Sequence, residues 1–328
     1  MIGKYEIVVE NAYIKYEFSV CRNITIVRGD SATGKTTLVE MIRAYNEEDD
    51  TGIEIHCEKP LSVVYGRDWK GQLERSSGHI LFIDEQNRFV RSVEFAEMLK
   101  KSDNYFVIVT REKVSTLPYS VTEIYGIRTR GKYAGLVGEY TANEFYRIYG
   151  EMPSLEFAPD IIITEDSNSG FEFWNNVIGR DRCLSAMGKT NVLEKLKKNE
   201  KKGVNYLIVV DGAAFGSEIE ELIQYIKYRN RDVKVYAPES FEYLILTSGI
   251  FNSKEITEKC RNTYSYADSS KYMSWEQFYT SLLVEETVGT QMQYRKQKLN
   301  QYYLSERNRK LILEELPDNL VIASKDLG

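Results

Sequence analysis

The chain is short of the residues on which most zinc proteins and secreted proteins depend. Its four cysteines, Cys21, Cys57, Cys183 and Cys260, form no CxxC pair. Neither a zinc ribbon nor a disulfide framework is expected, and the four read as reduced thiols of a cytoplasmic protein. His56 and His79 are the only histidines, which leaves little material for a zinc centre or a Ser-His-Asp triad. No apolar run reaches the ~18 residues of a membrane span, and the opening Met-Ile-Gly-Lys-Tyr-Glu lacks the basic-then-apolar order of a secretory signal. A strong charge of one sign is also missing. The formal net charge of −6 is spread over both halves, unlike the basic profile of a DNA-coating protein, so a nucleic-acid partner would have to use a local patch.

What is present is an ordinary globular composition, 42% apolar and 28% charged over 328 residues, enough for two domains. Apolar bursts at residues 5–9 and 13–18 read as paired strands leading into a third, Ile24-Thr25-Ile26-Val27. A helix over 35–45 follows, then short strands at 53–57 and 61–65. After these come a buried strand, Ile80-Leu81-Phe82-Ile83, a helix over 90–101 and another buried strand over 105–110. Strands alternating with helices predict an α/β fold with a mostly parallel sheet, here a first domain over 1–150. Beyond the connector marked by Pro153 and Pro159 the pattern restarts. Strands are expected at 161–164, 206–210 and 233–237, and helices at 171–179, 191–199 and 218–230, giving a second parallel α/β domain over 158–252. The stretch 253–328 turns polar, Tyr-rich and helical. Ser274 and Gln277 fit a capping box, and a long helix is expected over 290–316, stopped by Pro317. Its Arg295, Lys296, Lys298, Arg307, Arg309 and Lys310 read as a solvated face, with a nucleic-acid or protein contact as the sharper alternative.

Gly29-Asp30-Ser31-Ala32-Thr33-Gly34-Lys35-Thr36 matches G-x-x-x-x-G-K-[ST] in full, after an apolar strand and before a helix. Glycines let the backbone close around phosphate oxygens, and the amides of the loop and helix start point at the negative charge. Lys35 is expected to reach the β- and γ-phosphates, the Thr36 hydroxyl to ligate Mg²⁺, and Thr37 to lie near the α-phosphate. The strand ending in Asp84-Glu85 supplies the second half: Asp84 to hold Mg²⁺ and Glu85 to act as general base on water. Arg111, Arg128 and Arg130 are candidates for sensing the γ-phosphate or for an arginine finger. No N-K-x-D motif for guanine is apparent, so ATP is the expected nucleotide. P-loop kinases share the Gly-Lys-Thr signature, but the Asp84-Glu85 pair favours hydrolysis over transfer to a small acceptor.

With its leading antiparallel strands and Asp-Glu pair, the region over about 5–130 resembles the ATPase heads of the ABC, SMC and RecF-like class. It departs from them in having no LSGGQ-like signature between Lys35 and Asp84.

In the second domain acidic residues fall at the ends of expected strands: Glu165-Asp166, Asp211 and Glu242. Strand ends converge on one edge of a parallel sheet, where ligands bind. Carboxylates gathered there suit a divalent cation and two-metal phosphodiester chemistry. Over about 160–250 this resembles a Toprim domain, with Glu165 at the family's first acidic position and Asp211 at the first acid of its D-x-D. Gly188-Lys189-Thr190-Asn191 is similar to the turn after the second Toprim strand. The second acid of D-x-D is missing from Asp211-Gly212-Ala213, and Glu242, Glu218 or Asp166 could replace it. An ATPase head followed by a Toprim module is the layout of the overcoming-lysogenization-defect (OLD) nucleases, often associated with defence against phage. The resemblance implies an ATP- and Mg²⁺-dependent nuclease that acts as a homo-oligomer or with a protein partner, with Glu165 as acid or base and Asp211 and Glu242 on the metal. The alternative is an ATP-dependent switch or scaffold with a silent second domain, whose Tyr-rich tail binds a partner.

Overall fold

The computed structural model describes residues 1–29, 33–130, 140–150, 156–229 and 232–322. Asp30, Ser31 and Ala32 of the glycine-rich motif, and Pro153, lie outside the described residues, as does the side chain of Arg130. The chain is a mixed α/β protein that divides into two compact units. Met1–Gly150 with Thr263–Ser274 form the first, and Glu151–Asn262 with Trp275–Gly328 the second. Among the described residues no helix is long and apolar enough to cross a membrane.

In the first unit the elements run β1 (Tyr5–Glu10), β2 (Ile14–Val20), β3 (Ile24–Val27), α1 (Lys35–Glu47), β4 (Glu54–His56), β5 (Leu61–Val63), α2 (Trp69–Arg75), β6 (Ile80–Ile83), α3 (Val93–Lys100), β7 (Tyr105–Val109), β8 (Ile124–Arg130) and β9 (Thr141–Arg147). They build one sheet in the order β4-β1-β2-β9-β8-β3-β7-β6-β5. Strands β8, β3, β7, β6 and β5 are mutually parallel, and β3, β6 and β7 are buried along their whole length. Burial on both faces explains their unbroken Ile, Val, Leu and Phe runs. The antiparallel pairs β1–β2, β1–β4 and β8–β9 form a wing beside this parallel core.

The expected helix over 90–101 is broken near its start. A 3-10 turn, Arg88–Arg91, precedes α3, and Ser92 accepts a hydrogen bond from the Phe95 amide at 3.1 Å as the cap of the new helix. The late segment Thr263–Ser274 is tied into this unit by local bonds. The Gly3 amide donates to Tyr264 O at 2.7 Å, the Asn23 side chain to Met273 O at 2.6 Å, and the Met1 ammonium to Asp268 at 3.1 Å.

The second unit contains β10 (Ile161–Thr164), α4 (Ser169–Ile178), β11 (Cys183–Ser185), α5 (Val192–Asn199), β12 (Tyr206–Val209), α6 (Gly216–Arg229), β13 (Val233–Tyr236), α7 (Phe241–Thr247), α8 (Lys254–Arg261), α9 (Trp275–Thr287) and α10 (Glu306–Leu313). Its sheet is wholly parallel in the order β11-β10-β12-β13. The chain leaves β10 toward β11 on one side and β12 toward β13 on the other. The strand order therefore reverses between β10 and β12, which places a ligand crevice at their carboxyl ends.

The long helix expected over 290–316 does not form. Turns occupy 290–298, a 3-10 turn spans Gln301–Leu304, and only Glu306–Leu313 is α-helical. Side chains hold the backbone here in place of a helical ladder. Thr287 Oγ1 accepts from the Tyr294 amide at 2.9 Å, Asn300 donates to Gln291 O at 2.9 Å, and its Oδ1 accepts from Tyr302 N at 3.0 Å.

Candidate functional site

Two sites lie at carboxyl edges of parallel strands, one in each unit. In the first, β3, β6 and β7 are parallel neighbours in the order β3-β7-β6, so the loop after β3, Asp84-Glu85 after β6 and Thr110-Arg111 after β7 share one edge. Gly29 has φ +142° and Gly34 φ +82°, a left-handed region that disfavours side chains. A Cβ at Gly34 would also meet the Tyr16 hydroxyl at 2.6 Å. Tyr16 is fully buried on β2, and its hydroxyl donates to Gly34 O at 2.8 Å, supporting the loop from beneath. Lys35 is buried, and its Nζ reaches back to donate to Gly29 O at 2.9 Å and Thr33 Oγ1 at 2.8 Å. Its ammonium thus lies against Gly29 and Thr33 at the start of α1, whose first turn carries no acid.

Burial raises the Asp84 carboxyl above the ordinary range, with Glu85 and Glu40 adding to the rise and Lys35 opposing it. One oxygen of Glu85 is already engaged: Arg111 Nε donates to its Oε2 at 2.9 Å. Arg128 pairs with Glu144 at 2.7 Å and lies over the Tyr146 ring. Of the two expected arginines whose side chains are described, Arg111 and Arg128, the first lies against another residue of the candidate site.

In the second unit Glu165, Asp166, Asp211 and Glu242 line one small cavity, together with Lys296. Glu165 and Asp211 follow β10 and β12 at the strand-order reversal, and the Asp211 amide donates to Glu165 Oε2 at 3.1 Å. Asp211 Oδ1 accepts from the Phe241 amide at 3.2 Å, which fixes the start of α7. Glu242 is buried in the first turn of α7, where its Oε1 accepts from the Tyr294 hydroxyl at 2.8 Å. Of the three candidates for the missing acid, Glu242 and Asp166 reach the cavity. Glu218 is absent from its lining and accepts from Ser217 at 3.2 Å. Gly212 has its own reason: a Cβ there would fall 2.4 Å from Ala237 O.

Burial pushes the Glu165 carboxyl up to about 7, with Glu276 and Asp166 adding to the rise and the Asp211 amide and Lys189 opposing it. Asp211 is raised well above the usual range, first by burial and then by Glu276, Glu165 and Glu242. Burial likewise raises Asp166, with Glu242 contributing. Into this crowd comes Lys296, ion-paired with Glu276 and 3.9 Å from Glu242. Burial works to lower its affinity for a proton, but Glu242, Glu276 and Asp211 outweigh that and hold it above the ordinary lysine value. The sequence reading missed both Glu276, inside the capping box, and Lys296, taken for a solvated face.

As chemistry, the donor set suits a hard divalent cation, which would offset the mutual repulsion of the acids. As geometry, the acids do not form a closed cage. Among the described residues, the His, Cys, Asp and Glu ligand atoms that gather in threes within 4.8 Å belong to Glu10, Glu54 and His56, on β1 and β4. Comparison with protein-family models, with curated proteins and with solved structures gave no match.

Proposed function

We propose that the first unit binds and hydrolyses ATP with Mg²⁺, and that the second is a metal-dependent, Toprim-like module that cleaves phosphodiesters under control of the nucleotide state. The observation that carries the reading is Lys35, buried at the start of a helix and donating to Gly29 O and Thr33 Oγ1. An ammonium and the α1 amides aimed at one spot suit a polyphosphate. Thr36 and Asp84 would hold Mg²⁺, which would neutralise charge on the phosphates. Glu85 would accept the proton of the attacking water once Arg111 has left it. Arg111, released from Glu85, would then pair with the γ-phosphate. In the second unit Glu165 would move a proton, while Asp211 and Glu242 would hold a metal that would supply positive charge to the phosphodiester.

ATP turnover and cleavage of plasmid DNA and structured RNA, with Mg²⁺ or Mn²⁺, test the reading in wild type, Lys35→Ala, Glu165→Ala and Asp211→Ala. Cleavage lost in both acidic variants and altered in Lys35→Ala supports it. ATP turnover with no cleavage in any condition sinks the nuclease half. One observation favours a second reading, an ATP-dependent switch with a silent second unit: Lys296 already neutralises part of the acid cluster, as buried ion pairs do in purely structural sites. A role in phage defence rests on the OLD-like layout alone.

A further inference from the structure

Beside the acidic cavity, within the second unit, an open groove of about 410 Å³ is lined by Asn175, Asn176, Arg180, Lys298 and Gln301. We propose that this groove binds a single polynucleotide strand and leads it to Glu165, Asp211 and Glu242. The inference deepens, and rests on, the reading of the cavity as a phosphodiester site.

Groove and cavity share two walls. The first turn of α4 contributes Ser169 and Gly170 to the cavity, and its last turns contribute Asn175 and Asn176 to the groove. The stretch after α9 contributes Lys296 to the cavity and Lys298 and Leu299 to the groove. Gly170 and Asn176 lie roughly 9 Å apart along the helix axis and on different sides of it, Gly170 buried and Asn176 exposed, so a strand in the groove would pass around the start of α4 to reach the acids.

The charges differ sharply across this short distance. Lys296 is held by carboxylates. Arg180 and Lys298 are exposed, and among the described residues neither has an ion-pair partner. The one acid in the lining, Glu172, is turned to the backbone, where its Oε2 accepts from the Leu299 amide at 2.6 Å. Outside the lining, Arg309 donates to Asn176 Oδ1 at 2.9 Å and holds that amide in place. Phosphates would meet Arg180 and Lys298, and the amides of Asn175 and Gln301 can both donate and accept toward sugars or base edges. No aromatic ring lines the groove. Binding therefore works by charge and amide contacts, without stacking, and is tolerant of sequence and steeply dependent on salt.

The test uses the full chain in EDTA without ATP and reads the fluorescence anisotropy of short labelled RNA and DNA single strands across a salt series. Arg180→Glu combined with Lys298→Glu is expected to weaken binding at least tenfold. The same pair should flatten the slope of log K against log salt by about 1.4, the ~0.7 per contact of a single strand taken twice. Arg180→Ala and Lys298→Ala should each produce part of the loss, and Lys198→Glu, on α5, should change nothing. A preference between the RNA and DNA arms would assign the natural strand. Three outcomes overturn the groove: no binding of either strand by wild type, binding unmoved by the double reversal, or equal loss in Lys198→Glu. Displacement by polyglutamate at matched charge would overturn it in favour of an acidic peptide. Because binding is read without metal, a wild type that binds strands but never cleaves them with Mn²⁺ would retire the nuclease reading and leave the groove standing.

Discussion

The two units use one design with a different balance of charge. Each places polar residues at the carboxyl edge of a parallel sheet whose strands are apolar and buried. In the first unit the central side chain is a lysine that donates to neutral oxygens, Gly29 O and Thr33 Oγ1. In the second, the central groups are carboxylates, and the half-buried lysine among them donates to Glu276 and lies near Glu242. A lysine that donates to a backbone carbonyl and a hydroxyl, and acts on Asp84 only through its charge, is suited to an incoming anion. A lysine among acids already balances part of their charge, so a metal must compete with it. Electrostatics thus separates the readings more sharply than fold does.

The largest effect expected is at Lys35. Lys35→Ala should lower ATP turnover by roughly 100-fold or more, measured as phosphate release, with thermal stability nearly intact. Turnover that survived the substitution would break the comparison at its first term. Next comes Asp211→Asn, expected to weaken Mn²⁺ binding by about 10- to 100-fold, read by calorimetry on the full chain. Unchanged heats would place the cluster with the switch reading. Lys296→Met should destabilise the second unit by about 3 kcal/mol, because it strands buried carboxylates. Added Mn²⁺ should recover much of the lost melting temperature if the acids can take a metal, and none if they cannot. The smallest change is Tyr16→Phe. Losing its bond to Gly34 O should cost about 1 kcal/mol and raise the KM for ATP severalfold with little change in kcat. An equal fall in kcat would give the hydroxyl a part in turnover.

Much of the fold could be read before the structure because burial leaves an obvious trace. Ile24–Val27, Ile80–Ile83 and Tyr105–Val109 are continuous apolar runs, and all three are central strands. Strands β8 and β9 escaped notice because Ile124–Arg130 and Thr141–Arg147 mix Arg, Thr and Glu with apolar residues, as a wing strand can. Helix α7 was not assigned from the sequence because seven residues are too few to show a helical period, although Ser240 caps its start and Gly249, with φ +77°, follows its end. Glu165 and Asp211 could be singled out because each follows an apolar strand. Lys296 could not. Its position depends on a non-helical stretch fixed by Thr287, Tyr294 and Asn300, contacts made across the fold and invisible to periodicity.

The return of Thr263–Ser274 to the first unit sets the order in which a ribosome could complete it. Residues 1–150 would leave the exit tunnel with the partners of Gly3, Asn23 and the Met1 ammonium still unsynthesised, since those bonds end on Tyr264, Met273 and Asp268. The first unit would therefore close only after most of the second had emerged, and no single cut in the gene yields both units whole. An expression fragment ending at 150 should be less stable than one carrying the late segment on a linker.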